Sequence, residues 1–280
     1  MHNSSTYSTR LLGLLLVLPA LAIITLCFIA PLLASVVGAF QTSQGMGLDN
    51  FRKSFALYSG DMIFTVFIIG TSTLAIGLSA VAIAGYLTLG EHPRAVAMLR
   101  WLYRWPMFIP FIVAGQVART FLAKNGFMNN ALVAAGVVAP LDTVSLLDWR
   151  GIVITFVWKQ TPFVALLLAG AMAAIDRGTI EAARNLGAGR LRILFEIVLP
   201  QVAPTLLTGL ILSFVTMMSV LSVPLMVAGQ SPTLMTVDMA FRISAYRDYG
   251  VANALGLVSL AMTAMVAWLY LRRGLKEHAQ

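Results

Sequence analysis

Between two long runs without charged residues, the chain carries the polar stretch DRGTIEAARNLGAGRLRILFEIVLP at residues 176–200. This stretch predicts two short helices that are joined at a glycine. Thr179 can cap the first helix by accepting a hydrogen bond from a free backbone N–H. Glu181 then lies in the first turn, where a negative charge suits the helix dipole. Ala182 and Ala183 favour helix formation, and their small side chains leave a flat surface.

Gly187 separates the two helices, because glycine suits the left-handed conformation in which many helices end. The second helix is predicted to be amphipathic and to lie along the membrane surface or against neighbouring helices. Its apolar residues fall at positions i, i+3, i+4 and i+7 of one helical face: Leu191, Leu194, Phe195 and Val198. The stretch can be a plain connector, or its small alanine face can dock into a groove on another protein.

Long charge-free runs lie on both sides of this stretch, along most of the 280-residue chain. The chain is 59% hydrophobic and only 11% charged, against roughly 25% charged residues in soluble domains. Its mean hydropathy is +0.86. Because a helix of about 20 apolar residues crosses the bilayer and satisfies its own backbone hydrogen bonds there, the sequence predicts an all-α polytopic membrane protein. One transmembrane domain, residues 1–280, holds the six predicted spans: 12–38, 62–90, 105–123, 151–175, 203–228 and 250–271.

Two segments leave alternatives open. The first charge-free run, residues 11–40, is about twice as long as the apolar core of a signal peptide, so a retained span is expected and cleavage near Ala39 is the alternative. Residues 125–141 also lack charge, but three asparagines and a proline interrupt them. We expect a short interfacial helix over 127–139 on the outer side of the membrane. A buried segment or a seventh span is the alternative.

The basic residues indicate the orientation of the spans. The net charge is +8, and one set of predicted loops holds eleven Lys and Arg residues against six in the other set. The richer side is the cytoplasmic one by the positive-inside rule, which makes both termini and residues 176–200 cytoplasmic. In a membrane protein this charge sets orientation, so no nucleic-acid partner is expected. The eleven are Arg10, Arg94, Arg100, Arg104, Arg177, Arg184, Arg190, Arg192, Arg272, Arg273 and Lys276.

Residues 176–200 also contain a spaced pattern that resembles a family signature. The pattern is Glu-Ala-Ala, three residues, Gly, nine residues, Ile, one residue, Leu-Pro, and residues 181–200 meet every position. It resembles the signature of permease subunits in binding-protein-dependent ATP-binding-cassette importers of type I, with the MetI-like fold. Looser landmarks of the same family begin at Gly47, Gly126 and Tyr249, so the resemblance covers most of the chain.

The resemblance implies that residues 176–200 are a coupling loop, which docks into a cleft of a separate ATPase subunit. The implied docking residues are Glu181, Ala182, Ala183, Arg184 and Gly187. Arg184 lies three residues after Glu181 and can pair with it, an exposed contact that contributes only a few tenths of a kcal/mol. ATP binding closes the ATPase dimer and moves the paired permeases in this family.

Polar residues inside the predicted spans are candidates for a translocation path. The candidates are Lys159, Gln160, Thr161, Gln116 and Ser219. A lysine near mid-bilayer costs about 2.5–3.5 kcal/mol on insertion scales. Lys159 therefore either lines the path and meets a polar solute, or snorkels outward or pairs with a carboxylate of a partner subunit. Arg119 is close enough to the outer interface to snorkel.

The resemblance implies an importer subunit that carries a small organic solute, polyamine-like, a sugar or an organophosphonate, from a periplasmic binding protein into the cytoplasm. Its implied partners are the ATPase dimer, the binding protein and a second permease that we expect to be non-identical, all at the bacterial inner membrane. A secondary transporter driven by an ion gradient is the alternative, but the predicted spans contain no Asp or Glu for ion coupling. Cys27 is the single cysteine, and the three histidines form no cluster. We expect no catalytic residue, metal or cofactor in this chain.

Overall fold

The computed structural model describes residues 17–43, 45–228 and 232–277 of the chain. Within these ranges the chain is helical, with one two-residue antiparallel hairpin that pairs Gln41–Thr42 with Gly45–Met46. The first half contains α1 (Val17–Phe40), α2 (Asp49–Leu89), α3 (Pro93–Leu102), a 3₁₀ turn (Trp105–Phe108), α4 (Phe111–Leu122) and α5 (Phe127–Ala134). The second half contains α6 (Trp149–Ala173), α7 (Arg177–Asn185), α8 (Arg190–Ser219), α9 (Ser222–Val227), α10 (Met235–Ser244) and α11 (Tyr249–Glu277).

Five of the described helices are long and apolar enough to cross a membrane, namely α1, α2, α6, α8 and the Tyr249–Trp268 part of α11. A sixth crossing is possible where Pro93–Phe108 and Phe111–Ala134 meet at an angle of 108°. The all-α prediction with about six membrane helices is therefore confirmed. Residues 12–16, the start of the first predicted span, lie outside the described residues.

Helix α2 is longer than the predicted span of 62–90. It begins at Asp49 and has 41 residues. At 1.5 Å per residue it is about 60 Å long, roughly twice the thickness of the hydrocarbon core. A charge-free run marks only the part of a helix that lipid must cover, so the sequence did not reveal the polar extension that starts at Asp49.

The third predicted span, 105–123, is broken rather than continuous. Pro110 precedes α4, and Ile109 before it is extended, with φ −86° and ψ 124°. A proline disfavours helical backbone in the residue before it, which explains the break. The remaining helix α4 has 12 residues and a length of about 18 Å, less than the bilayer core.

The fifth predicted span, 203–228, is also interrupted. Helix α8 starts earlier, at Arg190, and ends at Ser219, because Val220 is extended with ψ 119°. The hydroxyl of Thr236 donates a hydrogen bond of 3.1 Å to the carbonyl oxygen of Val220, so the carbonyl freed by the break is satisfied. The fourth and sixth predicted spans, 151–175 and 250–271, differ from α6 and α11 only at their ends.

The segment 127–139 contains a single short helix. Helix α5 has eight residues, about 12 Å, and is too short for a seventh span. Its entry is tight, since a Cβ atom on Gly126 would lie 2.6 Å from the carbonyl oxygen of Phe121. The buried side chain of Asn129 donates to the carbonyls of Ala123 and Val144 at 3.0 and 2.9 Å. These contacts explain why this turn carries glycine and asparagine.

The chain divides into two units. The first consists of residues 1–58 and 239–260. Inside it, Asn50 donates to the carbonyls of Ala39 and Gln41, at 3.0 and 2.9 Å. A Cβ atom on Gly250 would lie 2.7 Å from the Asn50 side chain. The landmark beginning at Gly47 therefore packs directly against the landmark that opens α11.

The second unit consists of residues 59–238 and 261–280. Helix α6 lies in its core, and about half of its residues are buried. Gly209 of α8 allows close approach, since a Cβ atom there would lie 3.3 Å from the side chain of Val164. A second buried cluster forms where α6, α7 and the start of α8 meet: Leu168, Met172, Ile180, Ala183, Ile193, Leu194, Val198 and Val202, together with Ala84 and Leu89 of α2.

Candidate coupling surface and translocation residues

Helix α7 begins one turn earlier than the sequence pattern suggested. The carboxylate of Asp176 accepts a hydrogen bond of 3.1 Å from the backbone N–H of Gly178 and so caps the helix. The predicted cap, Thr179, lies inside the helix and donates its hydroxyl to Asp176 at 3.4 Å. The prediction for Thr179 is wrong because aspartate caps a helix at least as well as threonine and comes first in the chain.

The end of α7 is a Schellman motif. Gly187 has a φ of +82°, so the predicted left-handed conformation is confirmed. Its N–H donates to the carbonyl of Arg184 at 2.9 Å, and the N–H of Ala188 donates to the carbonyl of Ala183 at 3.0 Å. An added Cβ at Gly187 would meet no atom within 4 Å. Backbone conformation, rather than space, therefore restricts this position to glycine.

The two faces of α7 differ sharply in burial. Ile180 and Ala183 are buried in the cluster that α7 shares with α6 and α8. Of the predicted docking residues, Ala183 therefore faces the protein interior and not a partner. The exposed residues of α7 and its C-terminal turn include Glu181, Ala182, Arg184, Leu186 and Gly187.

Leu186 is a surface residue that the sequence pattern did not single out. It is 89% exposed, an unusual state for a leucine in a structured turn. The sequence feature that could have drawn attention to Leu186 is its position directly before Gly187, the glycine that ends α7. The predicted pair of Glu181 and Arg184 is absent from the ion pairs of the described residues.

The start of α8 replaces the predicted second helix of the loop. Residues Leu194–Val198 form a π-helical turn, and α8 continues without a break to Ser219. Pro200 has no N–H and would clash with the carbonyl four residues earlier, and a wider turn relieves both problems. The extra residue in the turn changes the buried face. Leu194 and Val198 are buried as predicted, but Leu191 and Phe195 are 71% and 57% exposed.

Lys159 is buried near the middle of α6, with 7% of its surface exposed. Its Nζ donates a hydrogen bond of 3.1 Å to the carbonyl oxygen of Met107 and lies 5.0 Å from the centre of the Phe111 ring. Both partners belong to the broken segment around Pro110. Lys159 therefore stabilises the break between the 3₁₀ turn and α4. Its side chain is buried, so it neither snorkels nor reaches a surface of the subunit.

The other path candidates fall into two groups. Gln160 and Thr161 are each 6% exposed, and the Thr161 hydroxyl has no hydrogen-bond partner among the described residues. Gln116 of α4 is exposed and lines a shallow hollow of about 270 Å³. Ser219 is also exposed and donates to the carbonyl of Thr216 at 2.8 Å. Lys159, Gln160 and Thr161 are therefore buried, whereas Gln116 and Ser219 are exposed.

Arg119 lies one turn after Gln116 on α4 and is exposed, as the sequence suggested. Its guanidinium donates to the carbonyl oxygen of Met226 at 3.4 Å, which is a weak contact. Asp148 and Arg119 line a second hollow, of about 570 Å³, and Asp148 caps α6 by accepting the N–H of Arg150 at 2.8 Å. The Arg150 guanidinium also bonds this carboxylate and holds the pKa of Asp148 below its usual value.

Comparison with known proteins gives a consistent family. The family model described as "Binding-protein-dependent transport system inner membrane component" matches residues 89–272. The chain is 28% identical to the sulfoquinovosyl glycerol transport system permease protein SmoG of Agrobacterium fabrum, over 94% of this chain and 90% of the relative. It is 25% identical to the trehalose/maltose transport system permease protein MalF of Thermococcus litoralis, over 96% and 95% of the two chains.

The fold also matches a solved transporter. A chain of the bacterial alginate ABC transporter, solved with an alginate pentasaccharide-bound periplasmic protein, superposes with a TM-score of 0.83. The alignment covers 96% of both chains at 18% identity, which shows a common fold. The family match covers well over half of the chain and includes α7, the start of α8 and Lys159. The chain belongs to the family of inner membrane permease components of binding-protein-dependent transport systems.

Proposed function

We propose that α7 is the element through which a separate ATP-binding-cassette ATPase moves this permease. The observation that carries the proposal is a short helix capped at both ends, by Asp176 and by the Schellman turn at Gly187, with a charged outer face. Glu181, Ala182 and Arg184 lie on that face. Small and charged residues there allow close approach and directional contacts in a groove of a partner.

The inner face of α7 supports a mechanical role. Ile180 and Ala183 share a buried cluster with Met172 of α6 and Val198 of α8. Protein interiors are close-packed and transmit displacement rather than absorbing it. A push on α7 therefore moves α6 and α8, the two helices on either side of it in the chain. In this scheme ATP hydrolysis takes place in the ATPase subunit, and this chain supplies the docking helix and a moving wall.

A single copy of this chain leaves its candidate path residues either buried or exposed on an open surface. We infer that the path forms between this subunit and a second permease, which we expect to be non-identical. Gln116 and Ser219 are the exposed candidates and are assigned to the wall of that path. Lys159, Gln160 and Thr161 support the wall from within the subunit.

The orientation follows from charge. Arg100, Arg104, Arg177 and Arg184 belong to the loop set that is richer in basic residues. With this set in the cytoplasm, α7 faces the ATPase, both termini are cytoplasmic and the hairpin after α1 is periplasmic. A periplasmic binding protein then delivers its solute to the side opposite α7.

The proposed solute is a sugar or a glycoside. Two of the relatives that match nearly the whole chain are named for sulfoquinovosyl glycerol and for trehalose and maltose, and another is named for sn-glycerol-3-phosphate. The first two support a sugar or glycoside among the three solute classes that the sequence left open. A thermal-shift screen of the cognate binding protein with glycosides tests it, because a bound ligand raises the melting temperature. A shift with polyamines or organophosphonates only would contradict the sugar assignment.

Replacing Gly187 with valine tests the coupling role. A β-branched residue at φ +82° is strained by about 1–3 kcal/mol, so the Schellman turn opens and α7 loses its fixed position. We expect uptake of the glycoside identified by the screen to fall about tenfold or more, while the variant remains in the membrane. ATP hydrolysis by the assembled transporter should continue without matching uptake.

Gly189→Val is the matched control. Gly189 has a φ of −69° and a ψ of 160°, which valine adopts readily, and an added Cβ there meets nothing within 4 Å. This variant should keep near-normal uptake. Normal uptake in Gly187→Val at equal membrane levels would refute the coupling role of α7.

A further inference from the structure

A cavity of about 670 Å³ lies between α3 and α7, within the second unit. Arg100 and Arg104 line it from α3 and the turn that follows. Arg177 and Arg184 line it from α7, together with the carboxylate of Glu181. Glu181 and Arg184 also belong to the docking face of α7, but neither that face nor the translocation path accounts for Arg100, Arg104 and Arg177.

The charges in the cavity are unbalanced. Four guanidinium groups face one carboxylate, which leaves an excess of three positive charges (four minus one). In the part of the chain that the structure describes, none of these four arginines forms an ion pair. The planar guanidinium group matches the geometry of phosphate oxygens better than an ammonium group does. The cavity is therefore complementary to an anion with a phosphate-like group.

Apart from Thr88 and Tyr103, the other side chains that line the cavity are apolar. Leu87 of α2 and Leu166, Ala169 and Met172 of α6 line it beside the arginines. A small soluble anion has no hydrocarbon part that could pack against these apolar side chains. A ligand with one anionic end and a hydrocarbon tail matches both parts.

Helix α3 carries the features of a helix that lies at the membrane surface. Met98, Trp101 and Leu102 of α3 are all more than half exposed and fall at positions i, i+3 and i+4, and Trp105 of the following 3₁₀ turn is also more than half exposed. The rings of Trp101 and Trp105 meet edge to face at 5.1 Å. Tryptophan concentrates at membrane–water interfaces, and basic amphipathic helices lie in that plane. The segment Pro93–Phe108, which contains α3, meets the segment that begins at Phe111 at 108°, so α3 does not continue in the direction of α4.

We propose that this cavity binds an anionic phospholipid of the cytoplasmic leaflet. The headgroup phosphate lies among Arg100, Arg104, Arg177 and Arg184, and the acyl chains lie along Leu166 and Met172. The lipid joins α3, which lies in the interface, to α7. The site does not depend on the proposed docking role of α7, since a lipid can bind there in a transporter that is coupled differently.

Lipid binding can be measured directly on the full-length chain, purified with its transporter subunits and delipidated in detergent. Phosphatidylglycerol and phosphatidylcholine are titrated separately, and bound lipid is counted by native mass spectrometry. We expect phosphatidylglycerol to bind more tightly than phosphatidylcholine. Arg100→Gln and Arg104→Gln should each weaken phosphatidylglycerol binding about fivefold, as expected for one basic residue near an anionic headgroup.

Arg94→Gln is the matched control, because Arg94 is an exposed arginine of α3 outside the cavity and loses the same charge. This variant should bind phosphatidylglycerol as the unaltered chain does. Arg100→Lys should weaken the binding less than Arg100→Gln, because it keeps the charge but loses the guanidinium geometry. Excess inorganic phosphate should not displace the lipid. Equal binding of the two lipids, an equal loss in Arg94→Gln, or displacement by phosphate would each overturn the proposal, the last in favour of a soluble anion.

Discussion

Asn129 shows how a single buried amide can hold a loop. Its NH₂ group donates to Ala123 at the end of α4 and to Val144 in the segment before α6. The side chain is almost fully buried. In the sequence, Asn129 only interrupts a charge-free hydrophobic segment. In the fold, it joins two stretches of backbone that are 21 residues apart (144 minus 123).

Asn129→Ala should destabilise the protein by about 1–3 kcal/mol, because it removes the two hydrogen bonds that this buried amide donates. The measurement is the unfolding midpoint of the detergent-purified chain. Asn130→Ala is the control, since Asn130 is exposed and makes only a 3.3 Å contact with the carbonyl of Asn125. Equal effects of the two substitutions would contradict the role given to Asn129.

Lys159 illustrates what residue type and position can and cannot reveal. Its cost in a membrane helix was evident from the sequence, and the need for a partner followed from that cost. The partner is a backbone carbonyl, Met107, and backbone groups leave no mark in a sequence. The carbonyl is free to accept the bond only because the chain breaks before α4, so the structure alone reveals why the lysine is tolerated.

At the scale of elements, the start of α11 is fixed by charge. Asp248 directly precedes the helix and accepts the N–H of Val251 at 3.2 Å, which caps it. Lys53 of α2 bonds the same carboxylate at 2.7 Å, and Arg242 of α10 lies at 3.4 Å. Burial by itself would raise the pKa of Asp248, but the bonds from Lys53 and Val251 and the charge of Arg242 outweigh it and lower the pKa.

The lowered pKa of Asp248 predicts acid sensitivity. A depressed carboxyl pKa contributes stability above the unfolded-state pKa of about 3.9, and this contribution is lost as the pH falls through the folded pKa. The melting temperature of the unaltered chain should therefore begin to fall below about pH 5 and keep falling as the pH passes through the folded pKa of Asp248. Asp248→Asn should start lower and fall less.

Asp142→Asn is the control for this pH series, since Asp142 is exposed and its side chain forms no ion pair among the described residues. Its pH profile should match that of the unaltered chain. Parallel profiles for Asp248→Asn and the unaltered chain would show that the contacts of Asp248 are not responsible for the acid sensitivity.

Element ends were the least predictable part of the fold. The breaks at Ile109 and Val220 fall inside charge-free runs, where hydropathy gives no signal. Pro110 marked the first break through its effect on the preceding residue. The carbonyl oxygen of Val220 accepts a hydrogen bond from the hydroxyl of Thr236, a residue of another helix. Such long-range partners cannot be read from local sequence.

At the scale of the whole molecule, the two functional hypotheses, an ATP-driven importer and a secondary transporter driven by an ion gradient, differ in their energy source. The longer α2 places Asp61 within a helix, but its carboxylate accepts the N–H of Thr233 at 2.9 Å and so has a structural role. Asp238 of α10 is buried and accepts the hydroxyl of Thr233 at 2.9 Å. These contacts account for the two carboxylates without ion coupling, and the family membership favours ATP-driven import.

ATP dependence can be tested on the reconstituted transporter with its binding protein. Uptake of the glycoside should require ATP on the side that α7 faces. It should change less than about twofold when ionophores collapse the proton and sodium gradients, because gradients supply no energy in this scheme. Uptake that persists without ATP and stops with an ionophore would identify a secondary transporter instead.

The sequence by itself determined the membrane class, the family and the glycine-ended helix α7. These properties depend on composition, on fixed local spacing and on the one residue type that tolerates φ +82° at Gly187. Only the tertiary structure decided which face of α7 is free, because Ala183 is buried in a cluster that also contains Ile193 and Val198 of α8, and local sequence does not show this burial. The tertiary structure also placed Arg100 and Arg104 in one cavity with Arg177 and Arg184, because helix packing, and not spacing along the sequence, brings these residues together.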